Sequence, residues 1–150
     1  MTDTIIDKPD VPVPWRDAKG HTDFTSYLAV KRLEKTEFAN RPLVYMCSPY
    51  SGDIDVNGGL ARRFCRVGVE RRVIPLAPHL LFPQFMDDTR PAERETAMWF
   101  NRVLLARCDA MWVYAPHISA GMRQEIGWAC KQELPITFFE DHFQEIPYEL

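Results

Sequence analysis

The sequence predicts an α/β domain built on a parallel sheet of four or five strands with helices on both faces. Three observations carry that expectation. Leu43 to Cys47, Val73 to Ala77, Ala110 to Ala115 and Pro135 to Phe139 are short, nearly continuous apolar runs, as strands covered on both faces are. Between them, Asn57 to Arg72, Pro91 to about Arg107 and Gly121 to Lys131 repeat apolar residues at helical spacing. From Arg41 onward strand and helix alternate, the order that crossovers between parallel strands require.

Residues 1–40 read as an N-terminal arm with a helix. Met1 to Lys19 carries Pro9, Pro12 and Pro14 among charges and should be irregular, whereas Thr22 to Asn40 holds an imperfect apolar stripe of Phe24, Tyr27, Leu28, Leu33 and Phe38. Residues 41–150 then form a single α/β domain. Its first strand closes in a loop dense in turn formers, Ser48 to Asp53. The helix that follows turns Leu60, Phe64, Val67 and Gly68 inward and Arg62, Arg63, Arg66, Arg71 and Arg72 mostly outward. The second strand runs into Pro78-His79 and a long loop with Phe82, Pro83, Phe85, Asp87 and Asp88, before Pro91 opens the next helix. After the third strand, Pro116 to Ser119 is a polar crossover. Ser119 can cap the last helix, whose apolar stripe is Met122, Ile126, Ala129 and Cys130. The tail from Glu140 to Leu150 is acidic. In such a sheet ligands bind where the loops at the carboxyl ends of the first and third strands diverge.

Composition narrows the function classes. A chain of 150 residues supports one hydrophobic core. Its net charge of -3 gives no global field toward a nucleic acid polymer or an anionic membrane. No apolar run approaches spanning length, and the acidic, proline-bearing amino terminus lacks the apolar stretch of a signal peptide, so a cytoplasmic location is expected. The cysteines, Cys47, Cys65, Cys108 and Cys130, form no Cys-x-x-Cys pair and read as reduced, buried thiols. No set of His, Cys, Asp and Glu has zinc spacing, and no Walker loop is present. Glu125 falls early in the last helix, near amides and a positive dipole end that would keep a carboxylate ionised.

Tyr45-Met46-Cys47 leading into the loop with Gly52, the Cys-Asp-Ala-Met-Trp-Val segment from Cys108, and Ser-Ala-Gly-Met-Arg-Gln-Glu-Ile-Gly-Trp-Ala from Ser119 together resemble the nucleoside 2-deoxyribosyltransferase family. That family includes the 2'-deoxynucleoside 5'-monophosphate N-hydrolases and small phage and bacterial relatives. The resemblance covers about Leu43 to Phe139. It implies a flavodoxin-like sheet and homo-oligomers, dimers or higher, whose sites a neighbouring subunit completes. It also implies cleavage or transfer at the N-glycosidic bond of a small-molecule nucleoside or nucleotide, with no metal or organic cofactor.

On this resemblance Glu125 matches the nucleophile, a carboxylate that attacks the anomeric carbon and forms a covalent glycosyl intermediate. Tyr45 matches the tyrosine that orients it. Ser119 falls where the monophosphate hydrolases carry a phosphate-binding serine, and the helix start beside it, with Gly121 and Met122, would add free amides. Ser48, Tyr50, Ser51 and Gly52 in the first loop and His79 after the second strand complete the expected substrate and phosphate contacts.

One departure stands out. Asn101 occupies the place of an aspartate that handles the leaving base's proton, and an amide can hold a base but not protonate it. Asp88 is the candidate substitute. Each residue also has a structural reading: Ser119 as a plain N-cap, Tyr45 as core, the arginines as a solvated face. A non-catalytic nucleotide-binding or sensing module, or a phage-type interaction protein docking through its first forty residues, would use the same fold.

Overall fold

The computed structural model describes residues 32, 33 and 35–147, and the chain divides into two units, Met1–Asn40 and Arg41–Leu150. In the first unit residues 32, 33 and 35–39 are helical; the expected arm and the start of its helix lie outside the described residues.

The second unit is an α/β sheet domain. Its strands are β1 (Leu43–Cys47), β2 (Ile74–Leu76), β3 (Ala110–Tyr114), β4 (Ile136–Phe139) and β5 (Glu145–Ile146), in the spatial order β2-β1-β3-β4-β5. The first four are parallel and β5 is antiparallel to β4. The sheet is therefore parallel over four strands and carries an antiparallel edge in place of a fifth parallel strand. The helices are α1 (Ile54–Glu70), α2 (Pro78–Leu81), α3 (Pro91–Leu105) and α4 (Ala120–Lys131), with a 3-10 turn at Phe82–Gln84.

Alternation along the strands assigns each side chain to a face. Tyr45, Cys47, Met111, Val113 and Phe138 point to one face and pack with Leu105 at the end of α3 and Met122 and Ala129 of α4. Val44, Met46, Trp112 and Phe139 point to the other and pack on Phe64 of α1. Phe64 is fully buried, edge-on to Phe139 with ring centroids 5.4 Å apart and stacked on Phe143 at 5.5 Å.

Several boundaries differ from the sequence expectation for local reasons. Helix α1 starts at Ile54 rather than Asn57 because the Asp53 side chain accepts from the Val56 amide at 3.1 Å and caps it there. The second strand is cut to Ile74–Leu76, and Pro78 opens the short helix α2 in place of the expected loop. Of the thiols expected to be buried, Cys130 is exposed and Cys65 only partly covered; all four are free. Arg71 is not simply solvated: it donates to the Phe143 carbonyl at 2.9 Å, lies 3.6 Å from Glu145 and sits over the Phe139 ring, tying the tail to the sheet.

Chain order matters for the site. From β1 the chain crosses to β2 on one side, then returns past β1 to β3 on the other, so β1 and β3 are neighbours whose following loops leave in opposite directions. A crevice opens at that switch point.

Candidate active site

The crevice is a cleft of about 120 Å³ at the carboxyl ends of β1 and β3. Its walls come from the loop after β1 (Ser48, Tyr50, Ser51), from α2 and the turn after it (His79, Phe82), from α3 (Arg94, Met98, Asn101) and from the start of α4 (Ser119, Met122, Glu125). Asp88 and Gly121 also line it.

Glu125 is the focus of its polar contacts. The Tyr45 hydroxyl donates to Oε1 at 2.8 Å, Asn101 Nδ2 approaches the same oxygen at 3.4 Å, and the Cys47 thiol donates to Oε2 at 3.3 Å. Tyr45 and Cys47 are separated by one residue on β1, so strand periodicity puts both beneath the same carboxylate. Tyr45 is only 1% exposed and reaches the site from below rather than forming its wall.

Burial pushes the Glu125 carboxyl above its ordinary range, opposed by the hydrogen bonds from Tyr45, Cys47 and Asn101. The net direction is set by desolvation and not by the helix start. Helix α4 begins at Ala120, the dipole effect fades beyond the first turn, and desolvation outweighs what remains. Burial, followed by the nearby Glu125 charge, also raises the Tyr45 phenol and Cys47 thiol well above their usual values, so both remain protonated donors at neutral pH.

The opposite wall is uncharged where charge was possible. Ser48 is buried and its hydroxyl lies 3.0 Å from His79 Nε2. Burial lowers His79 to about 4, so the ring is neutral at pH 7, with one nitrogen donating and the other accepting. Tyr50 is raised, first by burial and then by the charge of Asp88. The loop bearing Tyr50 and Ser51 is pinned by Asn57, whose Nδ2 donates to both of their carbonyls at 3.2 and 2.9 Å. Ser119 acts as an N-cap, its Oγ accepting from the Met122 amide at 3.3 Å, while still lining the cleft.

Gly52, expected at the substrate, is not among the residues lining the cleft. Its φ of 101° places it in the left-handed region, so it turns the loop instead of contacting the cavity. Asp88 is exposed at the rim and makes no hydrogen bond with Glu125 or Asn101. The Asn101 Oδ1 atom is buried without a hydrogen-bond partner.

Sequence reasoning missed Arg94, Met98 and Cys47. Arg94, Met98 and Asn101 stand at i, i+4 and i+7 of α3, a spacing that puts them on one helix face and was the available signal. A larger, mostly apolar groove of about 550 Å³ between α4 and β4 includes Ile126, Cys130 and Phe138. It contains none of the buried, hydrogen-bonded acid that distinguishes the smaller cleft, and size alone does not mark chemistry. Among the described residues, Glu140, Asp141 and His142 come within metal-ligating distance of one another. They lie away from the cleft, and Glu140 already accepts from the His142 and Gln144 amides. No helix among the described residues is long and apolar enough to cross a membrane.

Fold and cleft together define an α/β domain with a candidate ligand site built around one buried carboxylate at the sheet's switch point. Residues 42–139 match DUF7768, a domain of unknown function, and the chain belongs to that family. No curated protein matches the chain.

Proposed function

We propose that the domain cleaves or transfers at the N-glycosidic bond of a deoxynucleoside or deoxynucleoside monophosphate. The observation that carries this reading is the Tyr45–Glu125 pair. A carboxylate with its orienting phenol at 2.8 Å faces a cleft with room beside it, as a glycosyl nucleophile requires. In the reaction the ionised Glu125 forms a carbon–oxygen bond to the anomeric carbon as the carbon–nitrogen bond breaks. The bond's electron pair leaves with the base, which takes a proton from solvent. Water or a second base then displaces Glu125 and frees it.

The cleft is smaller than the roughly 300–1,000 Å³ of sites that enclose a drug-sized ligand, so part of the nucleotide lies over its mouth. Arg94 supports a monophosphate: it lines the cleft, and among the described residues it forms no ion pair. Trp99, Phe100 and Val103 of α3 are exposed apolar residues, which suits a cytoplasmic homo-oligomer.

The deciding experiment incubates the protein with each deoxynucleoside and deoxynucleoside monophosphate and separates free base by chromatography. Release that disappears in Glu125→Ala is the expected result; no release from any substrate would overturn the proposal. A second reading, a nucleotide-binding module without turnover, is favoured by Asn101 in the acid's place, since an amide cannot protonate the leaving base. Thermal stabilisation by nucleotides without base release would select it.

A further inference from the structure

Cys47 reads from sequence as an ordinary core residue: it ends a buried strand and is 0% exposed. Its sulfur nevertheless points at a carboxylate oxygen, 3.3 Å from Glu125 Oε2. An ionised carboxylate offers about four acceptor positions. Oε1 is occupied by the Tyr45 hydroxyl at 2.8 Å and faces Asn101 Nδ2 at 3.4 Å. Oε2 has the thiol alone, and a thiol is a weak donor. The two oxygens are thus unequal: one is held by oxygen and nitrogen donors, the other is oriented by sulfur alone and keeps spare acceptor capacity.

We propose that Cys47 is the positioning residue that aims Glu125 Oε2 at the ligand, making Oε2 the oxygen that bonds to the anomeric carbon. This rests on the glycosidic reading for its chemistry, but the positioning itself is a property of the protein without substrate. A weak donor suits that role, because it fixes the direction of the attacking oxygen while leaving most of its electron density available. The thiol stays protonated, since burial and the Glu125 charge both disfavour thiolate, so it donates and does not compete as a nucleophile. The groups that face Glu125 are Tyr45 and Cys47 from β1 and Asn101 from α3; the titratable groups elsewhere in the cleft are His79, Asp88, Arg94 and Tyr50.

The test follows the Glu125 carboxyl by carbon-13 NMR in the full-length protein labelled at glutamate side-chain carboxyls, with its resonance assigned through Glu125→Gln. Removing the donor in Cys47→Ala should move the Glu125 midpoint to higher pH, and Cys47→Ser, which keeps a donor, should leave it at or below wild type. A purely structural role would lower the melting temperature of both variants without ordering the midpoints. An unchanged or lowered midpoint in folded Cys47→Ala overturns the proposal. A second measurement keeps the native thiol: the Raman S–H stretching bands should differ between wild type and Glu125→Ala, as the Cys47 thiol loses its carboxylate acceptor at 3.3 Å and is left with the more distant Met122 carbonyl at 4.0 Å, and identical bands also overturn it. With a deoxynucleoside monophosphate that is turned over, kcat should fall about tenfold in Cys47→Ala with KM nearly constant. The titration and the S–H bands need no substrate, so absence of any base release would sink the glycosidic reading and the assignment of Oε2 as nucleophile, whereas a midpoint that fails to move sinks the positioning role alone.

Discussion

Tyr45 and Glu125 lie eighty residues apart in the chain and 2.8 Å apart in space, the hydroxyl of one donating to the carboxylate of the other. The contact joins the first strand to the last helix across the pairing of β1 with β3, so it depends on the sheet order as much as on either residue. Removing it gives the most direct reading of the site. In Tyr45→Phe the carboxylate loses its shortest hydrogen bond, a charge-assisted one worth roughly 1.5–3 kcal/mol. The Glu125 carboxyl should then titrate at still higher pH, and base release should fall roughly tenfold to a hundredfold. The NMR titration and the chromatographic assay measure these separately.

Glu125→Gln should abolish release and yet stabilise the fold. Glu125 has a folded pKa above its unfolded value, so its contribution to stability is present at low pH and is lost as pH rises through the folded value. At pH 7 the neutral amide avoids that loss. The expected gain is on the order of 1 kcal/mol, or a few degrees in Tm, measured by calorimetry. A destabilised Glu125→Gln at pH 7 would show that the carboxylate's hydrogen bonds outweigh its desolvation.

His79 has the opposite sign. Its folded value of about 4 lies below the ordinary 6.5, so the unfolded chain binds the proton first. Stability should fall as pH drops from about 6.5 to about 4, by up to about 3 kcal/mol. In His79→Gln that part of the pH dependence should disappear. Urea unfolding of both proteins at about pH 7, about pH 5.5 and about pH 4.5 spans the interval, and a variant curve as steep as wild type would refute the assignment.

Arg94→Ala should separate nucleotide from nucleoside. If the guanidinium faces a phosphate, the variant binds a deoxynucleoside monophosphate about tenfold to a hundredfold more weakly and the parent deoxynucleoside about equally. Titration calorimetry on the two ligands makes the comparison, and equal losses would assign Arg94 to the cleft's shape instead.

The parallel sheet was legible because its strands are buried on both faces and announce themselves as unbroken apolar runs. Strand β5 was not: Glu145–Ile146 is two exposed residues with no periodicity, held by Arg71 reaching back from just beyond α1 to Phe143 and Glu145. Glu125, Asn101, Ser119 and the loop from Ser48 to Ser51 converge because motifs at strand ends are brought together by topology. Gly52 lies outside the cleft lining, and glycine in a loop serves a turn and a ligand equally well on paper. Arg94 and Cys47 escaped for different reasons. A helix-face arginine resembles any solvated charge, and a strand cysteine resembles core, until the partner that each faces is known.

The edges of the sheet limit how copies of this domain can associate. One edge is β2, three residues with Pro75 at the middle, which lacks an amide hydrogen to donate. The other is β5, two residues long. Neither offers a ladder that an incoming chain could extend, which protects against runaway stacking into fibres. Among the described elements any association of copies would then fall to side chains on the helices, where a mutation at Trp99 or Phe100 bears on it and one at Pro75 does not.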